Sequence, residues 1–217
     1  MSRRADELNT TSFAMLGMLA IRPWSTYELA KHVDRSLGPL WPRARSHLFN
    51  EPKKLAVHGL ATASEEMVGR RPRTVYTITP AGRRALRRWL GTPGEGPVLE
   101  FEQLLKVFFA DHGTKADALQ AVDNIRAWAQ HRTEENIAVA RSYLAGTGPF
   151  PERAAVLSVV GRFLTEFADM AATWADWAAD VIDSWPDDPS RAQPDWAFMK
   201  QLARRDATPP SSQRNRS

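Results

Sequence analysis

The side chains able to do chemistry in this 217-residue chain are unevenly distributed. There is no cysteine, which removes disulfides, thiolate nucleophiles, iron–sulfur clusters and cysteine-ligated zinc together. The five histidines, at 32, 47, 58, 112 and 131, show no paired metal-ligand spacing, and the carboxylates are spread along helical faces. No Walker A loop, G-x-G-x-x-G, G-x-S-x-G or H-E-x-x-H occurs, so neither catalysis nor a cofactor is expected. The concentrated chemistry is cationic. Arg70, Arg71 and Arg73 fall within four residues, and Arg43, Arg45, Lys53 and Lys54 are interleaved with Ser46, His47 and Asn50. Clustered guanidinium and ammonium groups are suited to phosphate oxygens, and Arg, Ser, His and Asn can also meet the hydrogen-bonding edges of bases.

The charge is partitioned along the chain. Residues 1–96 hold 16 Lys+Arg and 8 Asp+Glu, whereas residues 97–217 hold 13 and 17, so an overall +4 conceals +8 and −4. That asymmetry points to a polyanionic partner for the first half, with mutual attraction of the two halves as the competing reading. Mean hydropathy is −0.42 and no apolar run reaches the ~18 residues of a membrane span. The opening MSRRADELNTTS has the basic residues of a signal peptide without its apolar h-region, and a cytoplasmic location is expected.

The elements that must position these cations can be read in order. An apolar helix over Phe13–Ala20 ends at Pro23. Ser25-Thr26-Tyr27-Glu28 has the form of a capping box, with Trp24 and Leu29 spaced as a hydrophobic staple; Leu29, Ala30, Val33 and Leu37 form the buried face of the helix that follows. A third helical stretch runs from Trp41 to Gly59 with Ala44, Leu48, Leu55 and Phe49 able to face inward and the basic and polar residues outward. Pro52 predicts a bend there, or two short helices meeting at Glu51. Leu60–Glu66 and Thr74–Thr79 read as strands flanking a tip, Met67–Arg73, and Thr79-Pro80 starts a helix to Leu90 with Arg83, Arg84, Arg87 and Arg88 on its wet side. Helix, helix, helix, hairpin, helix is the order of a winged helix-turn-helix, whose third helix enters the major groove and whose hairpin meets the backbone.

Tyr27-Glu28-Leu29-Ala30, Lys54-Leu55-Ala56-Val57-His58-Gly59-Leu60 and Gly69-Arg70-Arg71-Pro72-Arg73-Thr74-Val75-Tyr76-Thr77-Ile78-Thr79-Pro80-Ala81-Gly82 resemble the PadR family of bacterial transcriptional regulators over about residues 12–90. The resemblance implies a winged helix-turn-helix followed by a long helical dimerisation domain, with double-stranded DNA as partner. The family's usual Leu-Tyr pair in the recognition helix is replaced by Leu48-Phe49, so a phosphate contact from that tyrosine is absent and Ser46, His47 and Asn50 become the better recognition residues.

The remainder is mainly helical. Leu99, Phe101, Leu104, Leu105, Phe108 and Phe109 predict a short apolar helix. Thr114, with Asp117 at N3, caps a long helix to about Leu144, and Pro151 starts another to Trp185. In the last, Val156, Val160, Phe163, Phe167, Met170, Trp174, Trp177 and Val181 have coiled-coil spacing, with Leu157, Leu164, Ala171, Ala178 and Trp185 as a neighbouring stripe. Val122, Ile125, Ala129, Arg132, Asn136, Val139 and Tyr143 offer the facing row. Two such helices cannot cover their apolar faces alone, so a homodimer on a palindromic operator is expected. Trp128, Phe167, Trp174 and Trp177 serve either as core or as an aromatic pocket for a small hydrophobic effector, as the resemblance would allow.

The expected fold is thus mainly α with a small β-hairpin, organised as 1–92 winged helix-turn-helix, 93–186 helical dimerisation and effector domain, and 187–217 C-terminal extension. Within the extension, Asp195–Arg205 suits a short amphipathic helix and Ala207–Ser217 has the composition of a disordered tail. The expected function is a dimeric DNA-binding regulator, a repressor tuned by an effector. The alternative is a winged helix that docks protein and binds no DNA.

Overall fold

A computed structural model describes residues 7–41, 49–69 and 71–205, with backbone alone at 34, 35, 68 and 71. Two compact units divide the chain, Met1–Pro97 and Val98–Ser217. Among the described residues no helix is long and apolar enough to cross a membrane.

The first unit is built around α1, Thr10–Ile21. Asn9 and Ser12 close a capping box at its start, and Met15, Leu16, Met18 and Leu19 are buried. A helix apolar on most sides belongs at the centre of a core, and α1 packs against α3 (Glu51–Val57), α4 (Pro80–Leu90) and β3 (Arg71–Ile78). Trp24, fully buried, donates its indole N–H to the Met18 carbonyl at 2.8 Å. The capping box at Ser25 and Glu28 forms as the sequence predicts and starts α2, Thr26–Leu37. Leu29 and Val33 of that helix enter the core, and Trp24 and Leu29 are both buried across the cap, as a staple requires.

Pro52 occupies the first turn of α3, where its missing N–H would have had no intrahelical acceptor. The proline therefore begins a helix at Glu51; the stretch expected to lead into it, with Ala44 and Leu48, lies outside the described residues. Leu55 is buried as expected. Phe49, read as able to face inward, is 60% exposed.

The sheet has three antiparallel strands in the order β1-β3-β2, with β1 at Trp24–Ser25 and β2 at Ala61–Val68. The hairpin is longer than expected. Strand pairing continues to Val68 opposite Arg71, so Pro72 and Arg73, expected in the tip, lie in β3. Gly69 has φ +62°, the left-handed backbone that glycine adopts without strain. Pro72 is tolerated because β1 pairs only with Val75 and Tyr76, leaving one side of β3 free at Pro72. Thr79 caps α4, and Gly82 lets that helix seat: a Cβ there would stand 2.1 Å from the Leu60 carbonyl oxygen.

The second unit opens with α5, Glu102–Phe108, and a 3-10 turn at Ala110–His112. Its apolar residues divide: Val107 and the preceding Phe101 pack against the core of the longer helices, whereas Leu105, Phe108 and Phe109 are exposed. Thr114 and Asp117 form the predicted capping box of α6, Lys115–Leu144, and a 3-10 turn at Pro151–Arg153 leads into α7, Ala154–Asp183. At 30 residues each, these antiparallel helices are about 45 Å long.

The facing row on α6 agrees with the sequence at one end, where Val122, Ile125 and Ala129 are buried; Asn136 donates to Thr165 Oγ1 at 3.2 Å. The row on α7 is a correction in part. Ala171 and Ala178 of the neighbouring stripe are buried as expected, together with Ala168, Ala175 and Ile182, whereas Val156, Phe163, Met170 and Trp177 of the expected seam are exposed. Alanines let two helices approach closely; the large seam residues would hold them apart. After Pro186, Asp195 caps the short helix α8, Trp196–Ala203, as the composition predicts. The tail from 206 onward lies outside the described residues.

Candidate nucleic-acid interface

The cations singled out in the sequence divide into three groups. Arg43, Arg45, Ser46, His47 and Arg70 lie outside the described residues, and only the backbone of Arg71 is described. The hairpin register sets that backbone directly opposite Val68. Asn50 and Lys53 are exposed, Asn50 as the residue preceding α3 and Lys53 in its first turn. Asn50 makes no side-chain cap, so its amide is not committed to the helix start.

Lys54 and Arg73 form the third group, and the structure engages both within the protein. The Lys54 side chain, read as outward, is only 12% exposed; its ammonium donates to the Glu7 carbonyl and stands 3.7 Å from Glu51 Oε1. Glu51 is buried and also accepts a 2.6 Å hydrogen bond from Ser12 Oγ. A carboxylate in a helix's first turn is favoured by the N-terminal partial charge, and here it joins α3 to the capped start of α1.

Arg73 extends its guanidinium between two carboxylates. One terminal nitrogen donates to Glu66 Oε2 at 2.9 Å, across the strand pair in which the two residues are direct partners. The other stands 3.6 Å from Glu28 Oε2. That oxygen already accepts the Ser25 hydroxyl at 2.7 Å and the Ser25 N–H at 3.0 Å. These two hydrogen bonds, and then the charges of Arg73 and Arg22, hold the Glu28 carboxyl below the usual glutamate range. Arg22 itself lies over the Trp24 ring, 3.5 Å from its centroid.

Beyond the expected residues, Arg84, Arg87 and Arg88 are exposed on α4, and Arg83 reaches the Ala20 carbonyl. Ser12, Glu28, Glu51 and Glu66, which hold the cationic elements, were not recognised as site residues from sequence. Two of them had a usable signal: a turn at Gly69 pairs Glu66 with Arg73, and Glu51 stands three residues before Lys54 on one helix.

In the second unit the aromatic candidates are partly brought together. Trp128 meets Phe167 edge-on at 6.0 Å between centroids and Phe101 at 5.3 Å. Trp174 packs on the alanine-rich core, while Trp177 is half exposed. Neither of these two makes a ring contact with Trp128 or Phe167 among the described residues. An open groove beside α5 is lined by Glu102, Leu105, Lys106, Phe109, His112 and Gly113, none of them a residue singled out for an effector.

Comparison with known proteins adds to this geometry. Residues 15–88 match the model of the transcriptional regulator PadR-like family, and residues 102–183 match that of the virulence activator alpha C-terminal domain. The negative transcriptional regulator PadR of Bacillus subtilis is 28% identical over 104 residues, which is 47% of this chain and 57% of that protein. The chain thus spans little more than half the length of that curated relative. The solved structure of Bacillus subtilis PadR with operator DNA superposes with a TM-score of 0.69 at 21% identity, covering 81% of this chain and 100% of that one. A structure of the same regulator with p-coumaric acid gives 0.63 at 21% identity, with coverage of 81% and 100%. At that identity, the likeness shows a shared fold: a winged helix with long C-terminal helices.

Proposed function

We propose that the chain, whose residues 15–88 match the transcriptional regulator PadR-like family, is a dimeric, sequence-specific DNA-binding repressor whose affinity a small hydrophobic effector tunes. The observation that carries the reading is the hairpin. Its strand pairing runs out to Val68 opposite Arg71, the sequence carries arginine at 70 and 71 where a wing would meet phosphates, and Asn50 and Lys53 are exposed at the start of α3. Each subunit inserts the stretch around Arg43–Lys53 into a major groove; Arg45, Ser46, His47 and Asn50 meet base edges, and Arg70 and Arg71 hold the adjacent backbone.

Dimerisation is supported by the face of α7 that α6 leaves uncovered. Val156, Val159, Phe163, Met170 and Trp177 are exposed on one 30-residue helix, an apolar stripe of the kind that marks an interaction site. A second copy covering it supplies the two-fold axis that a palindromic operator requires. The effector part of the reading draws on the p-coumaric acid complex of Bacillus subtilis PadR and on the aromatic group Phe101, Trp128 and Phe167.

The test is a salt titration of binding to a mixed-sequence DNA duplex. Four phosphate contacts, two from each wing, predict that log K falls with log salt at a slope of about −3.6 or steeper. No salt-dependent binding to any duplex would favour a protein-docking module instead.

A further inference from the structure

Arg73 has been grouped with the wing arginines, yet its surroundings differ from theirs. It sits in β3, and its guanidinium spans Glu66 of β2 and Glu28 of α2. Glu28 closes the capping box that starts α2. Ser25, the other half of that box, belongs to β1 and pairs with Val75 of β3. One carboxylate therefore meets three separate elements: the cap of α2, strand β1 through Ser25, and the hairpin through Arg73.

The hairpin needs such an anchor. β1 holds β3 only at Val75 and Tyr76, so the outer part of the hairpin, from Arg73 to the tip, has strand pairing on one side alone. The side chains there are mostly exposed and give little apolar packing. A two-stranded ribbon of this kind is marginal by itself and its direction is poorly fixed. The Arg73 guanidinium ties it to α2 at the point where it leaves the sheet.

We propose that Arg73 is a positioning residue that aims the wing by linking Glu66 and Glu28, and that it does not serve as a phosphate contact. This rests on the DNA-binding reading above and deepens it. The two carboxylates then support DNA binding despite their negative charge, a sign opposite to simple electrostatics. A phosphate contact by Arg73 would make both acids competitors for its guanidinium, and removing them would strengthen binding.

The experiment uses the full chain, a duplex selected by the wild-type protein from a random pool, and a scrambled duplex of the same length. Failure of the wild type to select any duplex would refute the DNA-binding reading itself. Given a selected duplex, the variant Glu28→Gln/Glu66→Gln is compared with wild type on both probes. Glutamine can still close the α2 capping box, so the helix start is preserved. The expected result is roughly three- to tenfold weaker binding to the selected duplex, with scrambled-duplex binding unchanged or stronger. Arg73→Lys, which keeps the charge without the two-pronged geometry, is expected to behave like the double variant. Stronger or unchanged binding to the selected duplex would overturn the proposal. So would equal weakening on both probes, which would indicate general loss of structure.

Discussion

Ser12 and Glu51 share a 2.6 Å hydrogen bond, the serine hydroxyl donating to the carboxylate, and both side chains are buried. The bond joins the capped start of α1, the centre of the first unit's core, to the first turn of α3, the helix proposed to lead from the DNA-reading segment. A buried carboxylate that loses one partner keeps the cost of having left water.

Removal of either partner should therefore be felt. Ser12→Ala is expected to destabilise the first unit by about 1–3 kcal/mol. Glu51→Gln, which keeps the shape, should cost less because an amide oxygen still accepts from Ser12. Urea unfolding of the two single variants and their combination measures the coupling, expected at about 0.5–3 kcal/mol for residues in direct contact. Additive effects would mean the bond carries no energy of its own.

Acid should loosen the junction of α2 and the hairpin. Glu28 is held below the ordinary value of 4.5 in the folded protein, so folding favours its ionised form. Its contribution is fully present above about pH 4.5 and is lost as pH falls through the lower, folded value. Urea midpoints measured from pH 6 down to about pH 3 should fall less steeply for Glu28→Gln than for wild type. Parallel curves would show that Glu28 has no share in the acid limb.

The wing tip gives a separable electrostatic prediction. Arg70→Ala/Arg71→Ala should make the salt slope shallower by about 1.8 per subunit, from two lost phosphate contacts. An unchanged slope would remove these arginines from the interface.

The two apolar faces of α7 should respond oppositely to substitution. Ala175 is fully buried, and Ala175→Leu should overpack the contact with α6, costing about 1–3 kcal/mol in thermal unfolding. Phe163→Ser/Trp177→Ser lies on the uncovered face. That double variant should keep the helical fold, read by circular dichroism, while sedimentation at micromolar concentration shows a monomer. A dimer that persists would place the two-fold contact elsewhere.

What could be read from the sequence was local. The capping boxes Ser25–Glu28 and Thr114–Asp117 depend on residues three apart, and both formed where spacing predicts. The limits of α6 and α7 followed from caps and prolines in the same way. Which face of α7 turns inward did not follow, because two apolar stripes with steps of three and four overlap on that helix. Size favoured the Phe, Met and Trp stripe, while close approach to α6 selected the alanines, and hydrophobicity alone does not distinguish a neighbour in the chain from a second copy. Strand β1 was missed because two residues have no periodicity. Lys54 and Arg73 look like free cations in the sequence although each has one partner within local reach, Glu51 and Glu66; their other partners, Glu7 and Glu28, are 47 and 45 positions away. Pro52 was ambiguous for a different reason: a proline signals a helix start as readily as a break.

As proposed above, this chain reads DNA as a symmetric dimer. The most direct measurement is the recovery and sequencing of genomic fragments bound by the full protein. A symmetric dimer should enrich an inverted repeat whose half-sites are centred about one helical turn apart, roughly 10 base pairs, or a multiple of that. Recovery of no enriched sequence, or of an asymmetric single site, would contradict it.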